Sequence, residues 1–415
     1  MLKNYFKIAL KVLVRHKLFT FISLFGISFT LLILVLITSL IDHTFGPEPP
    51  ETRLDRTLSV TMAQLETEDS GMWSGPMLSY YFFTRYVKSL KTPEKISICS
   101  FHNPTVSYVN NKKLNLDLKF TDGEFWEILD FEFIEGKPFT KEDVDNRNMV
   151  AVINEDTRLK YFNGKSAVGK NIEADGDYYR VIGVVENVSI LRIMPYSDIW
   201  VPVTHSKEDL NAVTLIGSFP AYYAMLLARD RSDIPLIRNE FKQHVAQVEF
   251  PEGRFNKLTV EACTYGEAIS RQFFRTEEGK IGYILIALFI LMVLFLLLPT
   301  INLVNINVSR IMERSSEIGV RKAFGASSMT LVGQFVVENV IITMIGGVIS
   351  LVLAAIVLSI VNDSGIIPHA HLGLNFRIFA YSLVICLFFG LFSGVYPAFR
   401  MSKMQPVNAL RGGQV

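Results

Sequence analysis

The residues in this chain best suited to nucleotide chemistry are Gly164, Lys165 and Ser166. Gly-Lys-Ser closes the phosphate-binding loop of many nucleotide-hydrolysing proteins, where backbone N–H groups and the lysine hold the phosphates. That loop also requires a glycine five residues before the glycine of Gly-Lys-Ser, and Leu159 occupies this position. We therefore exclude a nucleotide site at this triplet.

Histidines and serines also lack the spacing that metal binding or nucleophilic catalysis requires. A metalloprotease helix places two histidine ligands on one face through a His-Glu-x-x-His pattern. That pattern is absent around the histidines considered, which are His102, His205, His244, His369 and His371. A Gly-x-Ser-x-Gly elbow is absent too. The sequence therefore predicts no catalytic residue, no metal and no bound cofactor.

A charged segment between two long apolar runs carries the strongest functional signal. It continues an apolar stripe at helical spacing, with charges on the opposite face, and Gly325 is suited to end the helix in a left-handed cap. Such a face is usually just solvated, but rigid charge beside a sharp bend favours docking of a soluble partner. The residues assigned to docking are Glu313, Arg314, Glu317, Ile318, Gly319, Arg321, Lys322 and Gly325.

The elements that must position this segment are long runs without charge. A helix needs about 20 apolar residues to cross a hydrocarbon core of about 30 Å. The first run is too long for the apolar part of a cleaved signal peptide, so we expect it to be retained. A buried helix of a soluble protein seldom needs such length, and we predict transmembrane helices over 18–41, 281–308, 331–361 and 378–399.

The placement of Lys and Arg sets the expected orientation. Residues 1–17 carry five basic residues and no acid, and residues 400–415 carry three and no acid. Both ends then belong in the cytoplasm, and the protein is expected in the cytoplasmic (inner) membrane. Residues 309–330 then lie on the cytoplasmic side, 42–280 on the extracytoplasmic side, and 362–377 form a short outer loop. The 42–280 segment holds 28 basic and 36 acidic residues, a net charge of −8, and this argues against nucleic-acid binding.

The long outer segment must be folded, because a linker of this length would be exceptional. Strand-helix-strand units are predicted at its two ends, and they could pair into one α/β domain. A β-rich subdomain is predicted as an insertion over 113–203, with a hairpin at Asp175-Gly176. The predicted strands and helices of the two units are 57–65, 80–90 and 95–109, then 212–218, 233–248 and 257–265. The fold class is therefore an α-helical membrane protein with four transmembrane helices and a large extracytoplasmic α/β domain.

Three smaller features complete the predicted architecture. Residues 1–17 have the apolar and basic faces of an amphipathic helix lying on the inner leaflet. Cys99 and Cys263 would share one compartment, and whether they form a disulfide stays open. Small residues spaced four apart let helices approach closely in lipid; they are Gly346, Ser350 and Ala354 in the third predicted span and Gly390 and Gly394 in the fourth.

The charged segment, the tail and parts of the outer segment together resemble the FtsX-like permeases of ABC transporters, of the MacB type. The likeness covers nearly the whole chain. In the tail, Asn408 stands where the family commonly has an acid. The matching stretches are 313–326 with Gln334, Phe335 and Glu338, then 396–398 and 406–411, and in the outer segment 152–155, 161–162, 168–170 and 179–185.

The resemblance implies a permease that pairs with a second copy or a related permease and is driven by a separate ATPase subunit. The segment from Glu317 to Gly325 would then contact the ATPase. We expect the chain itself to be no enzyme, and ATP to bind to the partner. A periplasmic adaptor is a further partner that the resemblance leaves open.

Two functions follow from this resemblance and remain open on the sequence. The first is export or extraction of a lipoprotein, peptide or drug-like substrate, driven by movements of the outer domain. The alternative is transmembrane signalling to an extracytoplasmic partner such as a cell-wall hydrolase, without transport. A membrane-tethered receptor outside the ABC class would leave the charged inner segment unexplained.

Overall fold

The computed structural model falls into two compact units, each with its own core. One is a mixed α/β unit, residues 43–284 with 365–371, and the other is a helical unit formed by 1–42, 285–364 and 372–415. The described residues are 13–15, 17–67, 72–75, 78–109, 112–217, 220–250, 255–274, 286–287, 290–291, 294, 320, 324, 328–377, 379–388 and 391.

The helices and strands alternate along the mixed unit, and the longest helices lie towards the chain ends. The helices are α1 (Lys17–Phe45), α2 (Tyr80–Phe82, continued by a π-helical turn over Phe83–Val87), α3 (Phe125–Ile128), α4 (Lys141–Asp145), α5 (Glu155–Phe162), α6 (Ile234–Val245), α7 (Tyr265–Phe274), α8 (Ser328–Ser364) and α9 (Phe379–Phe388). The strands are β1 (Thr57–Val60), β2 (Ala63–Glu66), β3 (Met72–Gly75), β4 (Lys95–Ser100), β5 (Asn103–Val109), β6 (Lys112–Thr121), β7 (Phe133–Gly136), β8 (Val150–Asn154), β9 (Asn171–Ala174), β10 (Asp177–Val185), β11 (Ile199–Pro202), β12 (Tyr222–Leu227), β13 (Lys257–Val260) and β14 (Cys263–Thr264).

Two helices among the described residues are long and apolar enough to cross a bilayer, namely Thr20–Phe45 of α1 and Val336–Ser364 of α8. The full helices α1 and α8 extend beyond the predicted spans 18–41 and 331–361 at both ends. The predicted span 281–308 lies almost entirely outside the described residues, and only the first part of 378–399 is described, as α9. The amphipathic helix predicted over 1–17 also lies largely outside them.

Close approach of α1 and α8 is possible because α8 carries a glycine at the contact. Ser28 Oγ of α1 donates a hydrogen bond to the carbonyl oxygen of Gly346 at 3.1 Å. A Cβ at Gly346 would lie 2.7 Å from Ile27 Cγ2, closer than carbon atoms tolerate. The absence of a side chain at this position therefore determines how near the two helix backbones lie.

A four-stranded antiparallel sheet in the mixed unit joins strands from distant parts of the chain, in the order β14-β1-β12-β4. All six residues of the central strand β12 are buried. The strand predicted over 212–218 is wrong, since its described part, 212–217, forms only an isolated bridge between Ile216 and Leu78. The true strand was missed because a strand buried on both faces has no alternating pattern, and a short apolar run cannot be told from a buried helix segment by periodicity.

Two stretches that were each predicted as one strand are divided between different sheets. The 57–65 stretch forms β1 in the four-stranded sheet and β2 in a three-stranded sheet of order β13-β2-β3, and 95–109 forms β4 and β5. Apolar alternation continues across each break, so the turn into another sheet leaves no mark in the local pattern. Cys99 on β4 and Cys263 on β14 lie at opposite edges of the four-stranded sheet and are free thiols. Three strand spacings of about 4.8 Å separate them, far more than a disulfide spans.

The third sheet is mixed and has seven strands in the order β5-β6-β11-β8-β10-β7, with β9 also paired to β10. It begins at Asn103, before the boundary predicted at 113, and the predicted bounds of the inserted subdomain stay a prediction. The predicted hairpin at Asp175-Gly176 is confirmed: it joins β9 to β10 with positive φ angles of 56° and 86°, as a two-residue turn of this kind requires. The Glu173 carboxylate accepts a hydrogen bond from Tyr108 N at 2.8 Å, which ties β9 to the edge strand β5.

Two glycines of this sheet provide a matched test of its packing. Both have positive φ, 70° at Gly136 and 86° at Gly176, but a Cβ at Gly136 would lie 2.0 Å from the carbonyl oxygen of Ile182, whereas no atom lies within 4 Å of a Cβ at Gly176. We expect Gly176→Ala to cost about 1–2 kcal/mol for the left-handed backbone alone. Gly136→Ala should cost about 2–5 kcal/mol, because overpacking adds about 1–3 kcal/mol.

The measurement is the thermal unfolding midpoint of the purified full chain in detergent, followed by tryptophan fluorescence. Gly136→Ala should lower the midpoint clearly more than Gly176→Ala. Equal shifts for the two variants would show that the close contact at Gly136 does not constrain the sheet.

Candidate functional site: a polar junction around Arg192

A buried arginine anchors the chain segment that directly follows α1. Arg192 lies in the loop between β10 and β11, and only 2% of it is exposed. Its Nη1 donates to Glu51 Oε2 at 2.9 Å, and its Nη2 donates to the carbonyl oxygen of Gly46 at 3.1 Å and to Glu48 Oε2 at 3.3 Å. One guanidinium thus holds three points of the 46–51 segment in a fixed fork of hydrogen bonds.

The same loop is held from its other side by both large sheets. Lys119 Nζ of β6 donates to the carbonyl oxygen of Met194 at 2.5 Å, and Tyr223 Oη of β12 donates to the same oxygen at 2.5 Å. Tyr265 Oη, at the start of α7, donates to the carbonyl oxygen of Leu191 at 3.4 Å. The loop 191–194 therefore connects the segment after α1 with β6, β12 and α7. We call Glu48, Glu51, Lys119, Arg192 and Tyr223 the polar junction.

Burial dominates the electrostatics of the polar junction. It raises the pKa of Glu51 to about 6, although the neighbouring Arg192 acts in the opposite direction. It lowers the pKa of Lys119 to about 8. Both groups are enclosed by protein, so their charged forms depend on the partners that the fold supplies.

The geometry of the polar junction leaves no room for chemistry on a substrate. The cavity beside it, lined in part by Glu51, Met194 and Tyr265, holds only about 20 Å³, roughly the room that one water molecule needs. Lys119 is fully buried, and its ammonium group donates to carbonyl oxygens. The polar junction therefore fixes the 46–51 segment to two sheets of the mixed unit.

The residues that the sequence assigned to docking lie outside the described residues, and their role stays a prediction. They are Glu313, Arg314, Glu317, Ile318, Gly319, Arg321, Lys322 and Gly325; Gly390 and Gly394 also lie outside.

Two neighbours within the docking segment are described. Phe324 N donates to the carbonyl oxygen of Val320 at 3.1 Å, which is one helical turn, and Phe324 is 88% exposed. On α8, Gly346, Ser350 and Ala354 are all buried. The segment thus presents an aromatic ring to its surroundings, and the small residues of α8 face the interior.

Sequence reasoning missed the polar junction, although a signal was present. Arg192 and Lys119 are single charges inside apolar stretches, with Leu191 and Ile193 beside the first and Leu118 and Phe120 beside the second. Lys and Arg are almost never fully buried unless they are paired. A lone basic residue in an apolar run was thus the signal available in the sequence. The sequence did not show which residues are its partners.

Comparison with known proteins identifies the class. Residues 20–244 match the model of the MacB-like periplasmic core domain, and residues 289–406 match that of the FtsX-like permease C-terminal domain. These two domains in succession define an ABC transporter permease, embedded in a membrane and carrying an extracytoplasmic domain. The chain belongs to the FtsX-like, MacB-type family of these permeases, as its sequence resemblance indicated. Membership implies an ATPase partner and a dimeric arrangement.

Named relatives are identical to this chain at about a quarter of the aligned positions. The uncharacterised ABC transporter permease YvrN of Bacillus subtilis is 23% identical over 83% of each chain. The permease YknZ of the same organism is 25% identical over 66% of this chain and 65% of its own. The macrolide export ATP-binding/permease protein MacB of Bdellovibrio bacteriovorus is 26% identical, and the match spans 67% of this chain but only 41% of that protein.

Solved structures of related outer domains resemble this chain only weakly. The extracellular domain of YknZ aligns with 48% of the chain at 14% identity and a TM-score of 0.36, and the periplasmic region of MacB from Actinobacillus actinomycetemcomitans aligns with 53% at 14% identity and a TM-score of 0.36.

Removal of the Arg192 guanidinium should be severely destabilising. Arg192→Met leaves the buried Glu51 carboxylate without its cation, a loss of about 3–5 kcal/mol. The double variant Arg192→Met with Glu51→Leu should recover much of this loss, because neither charge remains buried. The measurement is the thermal unfolding midpoint of the full chain in detergent. The matched control is Lys160→Met, which breaks the ion pair between Lys160 and Asp156. The Lys160 side chain is 57% exposed, so this substitution should cost less than about 1 kcal/mol.

The pH dependence of stability provides a second test of the polar junction. The pKa of Glu51 is raised from 4.5 to about 6 in the folded chain. Between these values the folded state holds a proton that the unfolded state has released, so stability falls as the pH rises through this window. The glutamine of Glu51→Gln cannot titrate, so the stability of this variant should fall less steeply with rising pH in this window.

Thermal midpoints of both proteins between pH 4 and pH 7 measure the two slopes, and the exposed Glu142→Gln serves as control. The slopes are compared, because the substitution also changes the overall stability. Identical slopes for Glu51→Gln and the unmodified chain would contradict the assignment.

Proposed function

We propose that this chain is the permease subunit of an ABC transporter. In this proposal a separate ATPase subunit hydrolyses ATP, and the resulting movement of the extracytoplasmic domain drives export or extraction of a lipoprotein, peptide or drug-like substrate. The observation that carries it is the succession of the two family domains over residues 20–244 and 289–406. Relatives named for macrolide export and pyoverdine export support transport over the signalling alternative.

In this proposal the stroke is transmitted through α1 and the contacts of Arg192. α1 is one helix from Lys17 to Phe45, so a displacement of its body moves its end as well. The next residues, 46–51, are held by Arg192. Because the Arg192 loop is hydrogen-bonded to β6 and β12, movement of the α1 end would turn the sheets as one body and would not be lost in a loose linker.

The ATPase would dock on the segment from Glu313 to Gly325. Its basic residues Arg321 and Lys322 and the 88% exposed ring of Phe324 provide charge and apolar surface together, the combination that recurs at binding hot spots. For this arrangement we place the chain in the cytoplasmic membrane with both termini in the cytoplasm. A second copy of the chain or a related permease completes the dimer, and a periplasmic adaptor would receive the substrate.

Charge reversal in the docking segment tests this assignment. The chain is expressed in its own host and the ATPase that co-purifies with it is assayed in nanodiscs. We expect the double variant Arg321→Glu with Lys322→Glu to lower co-purification and permease-dependent ATPase activity about tenfold, because like charges would now face the ATPase surface.

The control is Lys113→Glu with Lys165→Glu, which makes the same change in charge on exposed lysines of the outer domain and should leave both quantities unchanged. Unaltered stimulation by the docking variant would refute the docking role. If no ATPase co-purifies with the unmodified chain, the proposed function itself fails.

A further inference from the structure

An open cleft of about 410 Å³ lies in the mixed unit between α6 and the strand β13. This volume falls in the range of about 300–1,000 Å³ that is common for ligand sites. One wall is a single face of α6, formed by Arg238, Phe241, Lys242 and Val245, which follow each other at three and four residues. The opposite wall begins at Leu258 of β13. The cleft therefore lies between a helix and a strand.

The cleft runs along the edge of β13 and not across one of its faces. Three consecutive residues of β13, Leu258 to Val260, line it, and the wall continues through Glu261 and Ala262 to Cys263 of β14. Successive side chains of a strand point to opposite faces of a sheet, so three consecutive lining residues place the cleft at the edge of the strand. β13 is the edge strand of the order β13-β2-β3, and among the described strands only β2 pairs with it. Within the described residues, the side of Leu258–Val260 turned away from β2 therefore leaves backbone N–H and C=O groups facing the cleft.

One cation of the cleft is available to a ligand. Arg238 pairs with Glu267 and donates from Nε to the carbonyl oxygen of Ala262 at 3.1 Å, and Arg271 pairs with Glu261. Lys242 is exposed, and within the described part of the chain its ammonium group has no ion pair. It lies in the last turn of α6. The cleft thus offers a free positive charge in a segment whose net charge is −8.

We propose that this groove between α6 and β13 binds an extended acidic segment of an extracytoplasmic partner protein. The segment adds as a further strand along Leu258–Val260, at the edge of β13 that faces the cleft, and its carboxylate pairs with Lys242. Backbone pairing supplies affinity, and alternate side chains of the segment rest on the half-buried apolar side chains of Val245 and Leu258. An open groove admits an internal segment of a protein, and the backbone groups of an edge strand match another backbone better than a compact small molecule.

The proposal needs only the extracytoplasmic domain and therefore does not depend on ATP-driven transport. The test uses the full chain in nanodiscs. Random twelve-residue peptides displayed on phage are selected against it, with empty nanodiscs as counter-selection. Enriched peptides are then made with both termini blocked and a fluorescent label, and their Kd values are measured by anisotropy.

We expect the enriched peptides to alternate apolar residues and to share an acidic position. Lys242→Glu should raise Kd at least about tenfold, and replacement of the peptide acid by lysine should restore binding to that variant. The matched control Lys165→Glu alters an exposed lysine away from the groove and should leave Kd unchanged. Lys242 is exposed, so its replacement should leave folding intact.

Methylation of the peptide backbone separates strand addition from other modes of binding. Alternate amides of an added strand face β13, so N-methylation of one alternate set should abolish binding while methylation of the other set is tolerated. The proposal is overturned if no peptide is enriched over empty nanodiscs, if Lys242→Glu leaves Kd unchanged, or if both methylated sets bind. Binding that requires a free peptide terminus would likewise overturn it, since that points to a released peptide and not to a segment of a partner protein.

Discussion

The buried guanidinium of Arg192 is the constraint on which the mixed unit depends. A cation at 2% exposure is stable only if the protein replaces its lost hydration. Glu51, Glu48 and the carbonyl oxygen of Gly46 do so together. Because these partners all belong to the 46–51 segment, the burial of one charge fixes that segment against the sheets of the mixed unit. The loop that carries Arg192 must in turn be rigid, and Lys119 and Tyr223 hold it.

Two uses of positive charge are thus separated in the same domain. Lys119 and Arg192 are buried and donate their hydrogen bonds to carbonyl oxygens and carboxylates. They therefore fix the positions of these partners and are not accessible to a ligand. Lys242 is exposed beside a strand edge that no described strand pairs with, and no ion pair of its ammonium group is seen among the described residues. Buried charge thus fixes the packing of the mixed unit, and exposed charge leaves a group that a ligand can contact.

The helical unit follows a different constraint. Without a hydrophobic driving force between helices in lipid, close contact comes from small residues and interhelical hydrogen bonds. Gly346 illustrates both, because its missing side chain admits Ile27 and its carbonyl oxygen accepts from Ser28. Small residues spaced four apart were visible in the sequence, since helix geometry alone places them on one face. The helix that packs against them could not be predicted, because the sequence of α8 does not show that Ile27 is the contact of Gly346.

The sequence by itself determined the family, the apolar helices α1 and α8 and the hairpin at Asp175-Gly176, because each follows from a local signature: a long motif, a long uncharged run, or a turn dipeptide with fixed backbone angles. Only the tertiary structure decided that 57–65 and 95–109 divide between sheets, that β12 is a central strand, and that Arg192 pairs with Glu51. These outcomes depend on contacts between residues far apart in the chain. Such a contact stabilises the fold but produces no periodic pattern in the local sequence around either residue.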